Sequence, residues 1–228
     1  MRKAVVLLSG GLDSTTCMGV AVREGYEVFP ISFFYNQRHN TELESARAVA
    51  AYYNIPADRH MVVDLGRTIR GSALTGDTEV PLGRTLDEMG SDIPSTYVPS
   101  RNIIFMAHAA SYAEVVGAEA IYIGVNALDY SGYPDCRPEF VEAFQQVLNV
   151  GTKPGVEGRA VRVLTPLLNL SKAGIVRLGV EVGAPLEHSY SCYSGTRPSC
   201  GECDACLLRL KGFREAGVED RIGYRVRV

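Results

Sequence analysis

The residues best suited to chemistry lie near the start of the chain, in the run Ser9-Gly10-Gly11-Leu12-Asp13-Ser14-Thr15-Thr16. They follow a short apolar run over 4–8 that indicates a buried strand, and they precede a helical pattern over 17–23. A strand that breaks at two glycines and enters a helix predicts a phosphate site. Glycine lets the backbone approach an anion closely, and the first-turn N–H groups and the helix dipole favour negative charge. The alternative is an ordinary strand-to-helix turn with Asp13 near the N-cap.

This run lacks the Gly-Lys-Ser/Thr ending of the common P-loop and the three-glycine pattern of dinucleotide-binding folds. Its SGGxDS pattern after a first strand resembles the PP-loop of the ATP pyrophosphatase superfamily. That resemblance implies transfer of AMP from ATP to a substrate oxygen. The residues that it assigns to ATP are Leu8, Ser9, Gly10, Gly11, Leu12, Asp13, Ser14, Thr15, Thr16, Cys17 and Met18.

A second group with chemical capacity is a set of four cysteines near the C-terminus, Cys192, Cys200, Cys203 and Cys206. Two consecutive Cys-x-x-Cys steps with a fourth thiol upstream suit tetrahedral ligation. Four thiolates leave a zinc ion no open position, which predicts one structural Zn²⁺ per chain. An iron–sulfur cluster, a redox pair at 203 and 206, and buried free thiols are the alternatives. Cys17, outside this set, is interpreted as core packing.

A third polar run covers residues 124–140. It offers Asn126, Asp129 and Asp135 as polar groups, and Tyr130 and Tyr133 as flat faces. This composition suits a pocket for a flat ring that is rich in heteroatoms. The alternative is a polar loop in which Asp135 caps the following helix.

The elements that must position these groups alternate between strand and helix patterns. Strands are predicted over 4–8, 28–34, 60–64, 120–125 and 161–164, and helices over 17–23, 42–53, 102–116, 139–150 and 171–183, with Ser171 as the last N-cap. This alternation predicts an α/β fold with a doubly wound, parallel five-stranded sheet, which binds ligands at the carboxyl ends of its strands. We expect the loop over 66–100 to cover that site. The expected domains are an ATP-binding α/β domain over 1–183 and a small zinc-binding lobe, built on the four cysteines, over 184–228.

Composition limits the classes of function. The chain has 228 residues and a net charge of −3, which does not favour a general nucleic-acid binder. The apolar stretch after Arg2 and Lys3 is too short for a signal peptide, and no run approaches the roughly 20 apolar residues of a membrane helix. We therefore expect a cytoplasmic protein with no membrane partner and no stable nucleic-acid partner. The cations of the last helix and tail are expected to be mostly solvated, and a role in a dimer or in substrate binding is the alternative: Arg209, Lys211, Arg214, Arg221, Arg225 and Arg227.

The motifs become specific in combination. With SGGLDSTT, YNQRH at 35–39, VPSRN at 98–102, DYSGYPDCR at 129–137 and the four cysteines, the chain resembles the 7-cyano-7-deazaguanine (preQ0) synthase family of the PP-loop superfamily. The resemblance covers essentially the whole chain, and Ser100 departs from it because the family pattern has glycine there. It implies a Rossmann-like sheet of the adenine-nucleotide alpha-hydrolase type and a homodimer.

The resemblance also implies a C–N bond-forming ligase of queuosine biosynthesis. Such an enzyme converts 7-carboxy-7-deazaguanine and ammonia into the 7-nitrile through adenylated carboxylate and amide intermediates. ATP is expected to give AMP or ADP-type products, with pyrophosphate. The resemblance implies Mg²⁺ as a further cofactor, in addition to ATP and Zn²⁺. Asp13 is a candidate ligand of the Mg²⁺ ion. Arg101 and Lys172 are candidates for stabilising charge at the α-phosphate, and the alternative for each is a surface cation.

His39 is a candidate for handling a proton from ammonium, and a plain loop histidine is the alternative. The deazaguanine is assigned to Asn126, Asp129, Tyr130, Asp135 and Arg137. Two rival functions stand beside this one. Another PP-loop ligase, such as a tRNA-modifying thiolase or an amide synthase, should show a catalytic cysteine pair near the loop or a nucleic-acid domain. A zinc-ribbon binding module without catalysis should not keep an intact SGGLDS run.

Overall fold

The computed structural model describes residues 1–35, 41–66, 69, 72, 93, 95–127 and 133–226. Within these ranges the strands are β1 (Lys3–Leu7), β2 (Glu27–Phe34), β3 (Met61–Asp64), β4 (Ala120–Tyr122) and β5 (Arg162–Leu164). The α-helices are α1 (Leu12–Arg23), α2 (Thr41–Tyr52), α3 (Arg101–Val116), α4 (Pro138–Gly151), α5 (Lys153–Val156), α6 (Lys172–Glu181) and α7 (Asp204–Ala216).

The five strands form one parallel sheet in the order β3-β2-β1-β4-β5. This order confirms the predicted doubly wound five-stranded sheet. The chain moves outward from β1 to β3 and then returns to the other side of β1 with β4, so the direction of winding reverses between β1 and β4. In open parallel sheets the crevice at such a reversal is where ligands bind.

Both faces of the sheet are covered, as expected for parallel strands that are apolar on both sides. Ala4 and Val6 of β1 belong to one core cluster, which also includes residues of α1 and α6. Val5 and Leu7 point to the opposite face and join a second cluster that contains residues of α3 and α4. Phe213 of α7 belongs to the first cluster, so the C-terminal segment and the sheet share a core.

The first residues of α1 and α3 show features that the sequence-based prediction did not include. α1 begins at Leu12, five residues before the helical pattern predicted over 17–23. The apolar pattern missed this first part of the helix because Ser14, Thr15 and Thr16 are polar residue types in buried positions. α3 begins after Ser100, which has the left-handed φ of 55°. That conformation favours glycine, which explains the glycine of the family pattern at this position.

The predicted N-cap of α6 is confirmed, because the Ser171 hydroxyl accepts a hydrogen bond from the Gly174 N–H at 3.2 Å. Among the helices that the structure describes, none combines the length and the apolar character that crossing a bilayer requires. Most of the loop over 66–100 lies outside the described residues, so its expected position over the site stays a prediction.

Candidate active site

A cleft of about 340 Å³ opens at the carboxyl edge of the sheet, between the ends of β1, β2 and β4. The first turns of α1, α3 and α6 and the start of α7 complete its walls. The winding reversal between β1 and β4 therefore coincides with the cleft. The predicted site residues that line it are Leu8, Ser9, Gly11, Leu12, Asp13, Ser14, Arg101, Asn126 and Lys172.

The glycine run forms a tight turn from β1 into α1. Gly10 has a φ of +85°, and a Cβ added there would lie 2.3 Å from the carbonyl oxygen of Glu42, so only glycine fits. The Ser9 and Ser14 hydroxyls lie 3.0 Å apart, and the Ser14 hydroxyl donates to the carbonyl of Gly11 at 3.1 Å. Within the described residues no side chain caps α1 at Gly11, and the first-turn N–H groups of a helix are a favourable place for an anion.

Asp13 and Lys172 form an ion pair inside the cleft. The ammonium group of Lys172 lies 3.0 and 2.9 Å from the two carboxylate oxygens of Asp13. The side chain of Lys172 is 16% exposed and that of Asp13 is 30% exposed. A cation from the first turn of α6 is thus held at the first turn of α1, beside the glycine run.

The other residues assigned to ATP lie on the core side of α1. Thr15, Thr16, Cys17 and Met18 are fully buried. The hydroxyls of Thr15 and Thr16 have no hydrogen-bond partner within the described part of the chain. Burial raises the pKa of the Cys17 thiol well above its ordinary value, with Asp13 contributing in the same direction, so this thiol is inert.

An aromatic wall of Phe33, Tyr35 and Phe105 lines the same cleft as the glycine run over 9–14, which we call the phosphate loop after the ligand predicted for it. Phe33 and Phe105 stack with their ring centroids 3.9 Å apart, and Tyr35 lies 5.6 Å from Phe105. The guanidinium group of Arg101 lies close to the hydroxyl groups of Tyr35 and Tyr133. A guanidinium group therefore lies beside the aromatic side chains of the cleft. Sequence patterns gave no sign of Phe105, which is one apolar residue within an apolar helix.

The residues assigned to the deazaguanine have different surroundings. Asp135 is buried, and its carboxylate accepts the Asn102 backbone N–H at 3.0 Å, so it secures the start of α3 and not that of α4. The Asn126 amide lines the cleft and donates to the carbonyls of Leu167, at 3.1 Å, and Leu170. Arg137 is the exposed N-cap residue of α4.

His39, Asp129 and Tyr130 lie outside the described residues. Cys136, in contrast, lines the cleft beside Asn102, whose amide contacts its sulfur at 3.4 Å. Burial raises the pKa of Cys136 to about 12, and Asp135 reinforces the shift. The group is therefore a neutral thiol at physiological pH and a poor nucleophile.

The four C-terminal cysteines converge on one point. Their sulfur atoms all lie within 4.8 Å of one another, and all four residues are buried. Two of the separations are 3.4 Å, from Cys192 to Cys200, and 3.9 Å, from Cys200 to Cys206. Thiolates around a single tetrahedral ion, with bonds of about 2.3 Å, would lie about 3.8 Å apart. The set therefore has the spacing of a mononuclear metal site.

Backbone groups support this cysteine cluster. The N–H of Cys203 donates to the Cys200 sulfur at 3.3 Å, and the N–H of Cys200 donates to the Cys192 sulfur at 3.3 Å. The C-terminal tail pairs with the same turn, since the N–H of Val226 donates to the Cys200 carbonyl at 3.2 Å. Such outer contacts orient ligand sulfurs.

The cluster is joined to the phosphate loop by residues that the sequence patterns did not single out. Tyr190 packs in the apolar group around the cysteines, and its backbone N–H donates to the Gly10 carbonyl at 2.8 Å. The side chain of Arg197 lies over the Tyr190 ring and donates to the Ser45 hydroxyl at 2.9 Å. The loop that carries the cysteines therefore contacts the back of the phosphate loop.

Comparison with protein families matches residues 3–217 to the model described as queuosine biosynthesis protein QueC. The chain belongs to the QueC family. A QueC-family relative from Acetivibrio thermocellus, named 7-cyano-7-deazaguanine synthase, is 58% identical over 228 residues and is covered completely. Relatives of the same name from Thermoplasma acidophilum and Oceanobacillus iheyensis are 53% and 52% identical, with 98% of this chain covered and 92% and 98% of the relatives. The family resemblance inferred from the motifs is confirmed.

Two solved structures share the fold. The NMN synthetase of Francisella tularensis aligns with a TM-score of 0.50 at 16% identity, over 96% of this chain and 78% of its own. A 4-thiouridine synthetase in complex with RNA and ATP aligns with a TM-score of 0.53 at 20% identity, over 93% of this chain and 53% of its own. These similarities confirm the α/β fold.

Proposed function

We propose that this QueC-family protein is a 7-cyano-7-deazaguanine synthase, a ligase that converts 7-carboxy-7-deazaguanine and ammonia into the nitrile while splitting ATP into AMP and pyrophosphate. Full-length relatives of that name support the overall reaction. The observation that carries the use of ATP is the Asp13–Lys172 pair, held at the open N-terminus of α1 in the cleft.

The proposed chemistry has two activation rounds in one cleft. A carboxylate oxygen attacks the α-phosphate of ATP, and pyrophosphate leaves. Ammonia then attacks the acyl carbon, AMP departs with the carboxylate oxygen, and a proton is lost to give the amide. The amide oxygen attacks a second ATP in the same way. Loss of AMP and of both nitrogen-bound protons from that adenylate leaves the nitrile.

The residues of the cleft suit these steps. The Ser9–Ser14 turn and the first N–H groups of α1 would hold the phosphates that leave as pyrophosphate. Lys172 and Arg101 approach the cleft from two different helices and would stabilise charge at the α-phosphate. Asp13 offers carboxylate oxygens, the ligand type that Mg²⁺ prefers, and bound Mg²⁺ would neutralise phosphate charge.

The aromatic wall supports a flat second substrate. Phe33, Tyr35 and Phe105 line the cleft together with Arg101. A planar deazaguanine would stack on such a surface, with its carboxylate within reach of a cation. A phosphate site and an aromatic wall in one cleft would supply the two complementary halves that the reaction needs.

We further propose that the cysteine cluster binds one structural Zn²⁺. Sulfur separations of 3.4 and 3.9 Å fit one ion, whereas an iron–sulfur cluster places several atoms between its thiolates and needs wider spacing. Four protein ligands leave no position for substrate. The ion would fix the loop behind the phosphate site and take no part in the reaction.

The test is a reaction with defined components. The purified protein is incubated with Mg²⁺, ATP, ammonium and 7-carboxy-7-deazaguanine, and the products are followed by mass spectrometry together with pyrophosphate release. We expect nitrile and pyrophosphate only when all components are present. Release of pyrophosphate with tRNA in place of the deazaguanine would contradict the proposal, as would ADP and phosphate as the products.

A further inference from the structure

Arg209 on α7 is a cation that the described structure buries almost completely. Its side chain is 1% exposed, although sequence patterns place it in a group of mostly solvated cations. It lies on the inner wall of the cleft, on the side of the C-terminal segment. A guanidinium group at this depth needs a full set of acceptors.

The surroundings of Arg209 provide that set. Its Nε and Nη2 donate to the two oxygens of Asp220 at 2.7 and 3.0 Å, a bidentate pair. Nη1 donates to the Ser189 hydroxyl at 2.7 Å and more weakly to the Ser191 hydroxyl at 3.4 Å, and Nη2 also donates to the Leu186 carbonyl at 3.1 Å. These contacts account for all five N–H groups of a guanidinium, so Arg209 has no donor left for a phosphate.

Three of these acceptors belong to one short segment, 186–191, which contacts the phosphate loop in space. Within it, the backbone N–H of Tyr190 donates to the Gly10 carbonyl at 2.8 Å. Gly10 is the residue whose left-handed φ turns β1 into α1. Arg209 thus binds the segment 186–191, and that segment in turn is hydrogen-bonded to the turn at Gly10.

The same helix also supports the cleft's lysine. Gly212 lies three residues beyond Arg209, and a Cβ added there would be 2.6 Å from Cγ of Lys172. The backbone of α7 therefore packs directly on the stem of Lys172, whose ammonium group pairs with Asp13. α7 therefore contacts both the stem of Lys172 and, through Arg209, the segment that binds Gly10. The ion pair of Arg209 with Asp220 fixes this part of α7.

We propose that Arg209 is a positioning residue for the phosphate loop, so that the affinity for ATP depends on its pair with Asp220. The inference rests on the proposed use of ATP. It assigns Arg209 no contact with substrate, because its donors are already engaged.

The experiment measures binding of α,β-methylene-ATP with Mg²⁺ by calorimetry to the full chain and three variants. Arg209→Lys keeps the charge and loses the bidentate geometry, and we expect about tenfold weaker binding, which corresponds to about 1.4 kcal/mol. Ser189→Ala removes one acceptor and should weaken binding about threefold. Arg214→Lys, an exposed position on the same helix, is the matched control and should bind like the parent protein.

Thermal unfolding and metal content are measured on the same samples, so that affinity is compared only among folded proteins. A folded Arg209→Lys protein that binds the analogue as tightly as the parent would overturn the inference. If that variant does not fold, unchanged affinity of Ser189→Ala would overturn it. A parent protein that does not bind the analogue would instead refute the proposed use of ATP and the inference with it.

Discussion

Replacing Lys172 with methionine removes the ammonium group that pairs with Asp13 in the cleft and keeps most of the side chain's stem. The stem matters because α7 packs against it at Gly212. The substitution therefore separates the electrostatic role of Lys172 from its packing role. Lys211→Met is the matched control, since Lys211 makes a looser pair with Glu215 at 3.9 Å on the surface of α7.

The structure indicates a small effect on folding and a large one on turnover. At 2.9 Å and an effective dielectric constant of about 20, the gross attraction in the Asp13–Lys172 pair is about 6 kcal/mol. Desolvation and partial exposure offset most of it, so we expect a loss of about 1 kcal/mol of folding free energy. In the variant, the negative charge that develops on the phosphate in the transition state would no longer be stabilised by the Lys172 ammonium group. We expect this to raise the activation free energy by about 3 to 4 kcal/mol, a decrease of roughly 10²–10³ in the rate.

The assay is pyrophosphate release under saturating ammonium and deazaguanine, with ATP varied, for the parent protein, Lys172→Met and Lys211→Met. Thermal unfolding of each protein is measured in the same buffer. We expect kcat/KM for ATP to fall by roughly 10²–10³ only in Lys172→Met, with little change in its unfolding midpoint. A folded Lys172→Met protein that retains more than about one fifth of the parent's kcat/KM would refute this reasoning.

Three further predictions concern stability. Cys203→Ser should abolish binding of zinc and lower the unfolding midpoint, measured by metal analysis and calorimetry, whereas Cys136→Ser should retain the metal. Gly201→Ala should lose about 3 kcal/mol in chemical unfolding, because φ is +88° and the new Cβ would lie 1.8 Å from a backbone oxygen; Gly25→Ala, with φ of +80° in open space, should lose about 1 kcal/mol. Desolvation, reinforced by Arg47, lowers the pKa of His60 from 6.5 to about 4, so the unfolding free energy should fall as pH drops through this interval, and less steeply in His60→Gln.

Each of these stability predictions has a clear contrary result. Full zinc content in Cys203→Ser would remove that residue from the ligand set. Equal losses of unfolding free energy in Gly201→Ala and Gly25→Ala would mean that steric crowding at Gly201 does not contribute to the effect. An unchanged acid slope in His60→Gln would assign the pH dependence to other groups.

Local patterns were sufficient for the sheet and the phosphate loop. The buried strands are short apolar runs, and the turn from β1 to α1 is marked by adjacent glycines, so both features lie within a few residues of sequence. Cysteine spacing likewise predicted a convergent set, because two of its steps span one turn each. The start of α1 was predicted five residues late, since Ser14, Thr15 and Thr16 are polar residue types in buried positions.

Long-range contacts explain what the patterns missed. The carboxylate of Asp135 secures the N-terminus of α3, 33 residues earlier in the chain, and nothing near Asp135 indicates that partner. Arg209 looks like any helix cation until Asp220 and the segment 186–191 fold around it. Both are polar groups whose environment is created by tertiary packing, which a single sequence does not encode locally.

In the proposed reaction, one cleft activates two successive oxygen atoms of the substrate by transfer to AMP. The most direct measurement uses 7-carboxy-7-deazaguanine with both carboxylate oxygens labelled with ¹⁸O, and mass spectrometry of the nucleotide products. We predict two molecules of AMP per nitrile, each carrying one ¹⁸O, and two unlabelled molecules of pyrophosphate. Unlabelled AMP, or label in phosphate beside ADP, would contradict this mechanism.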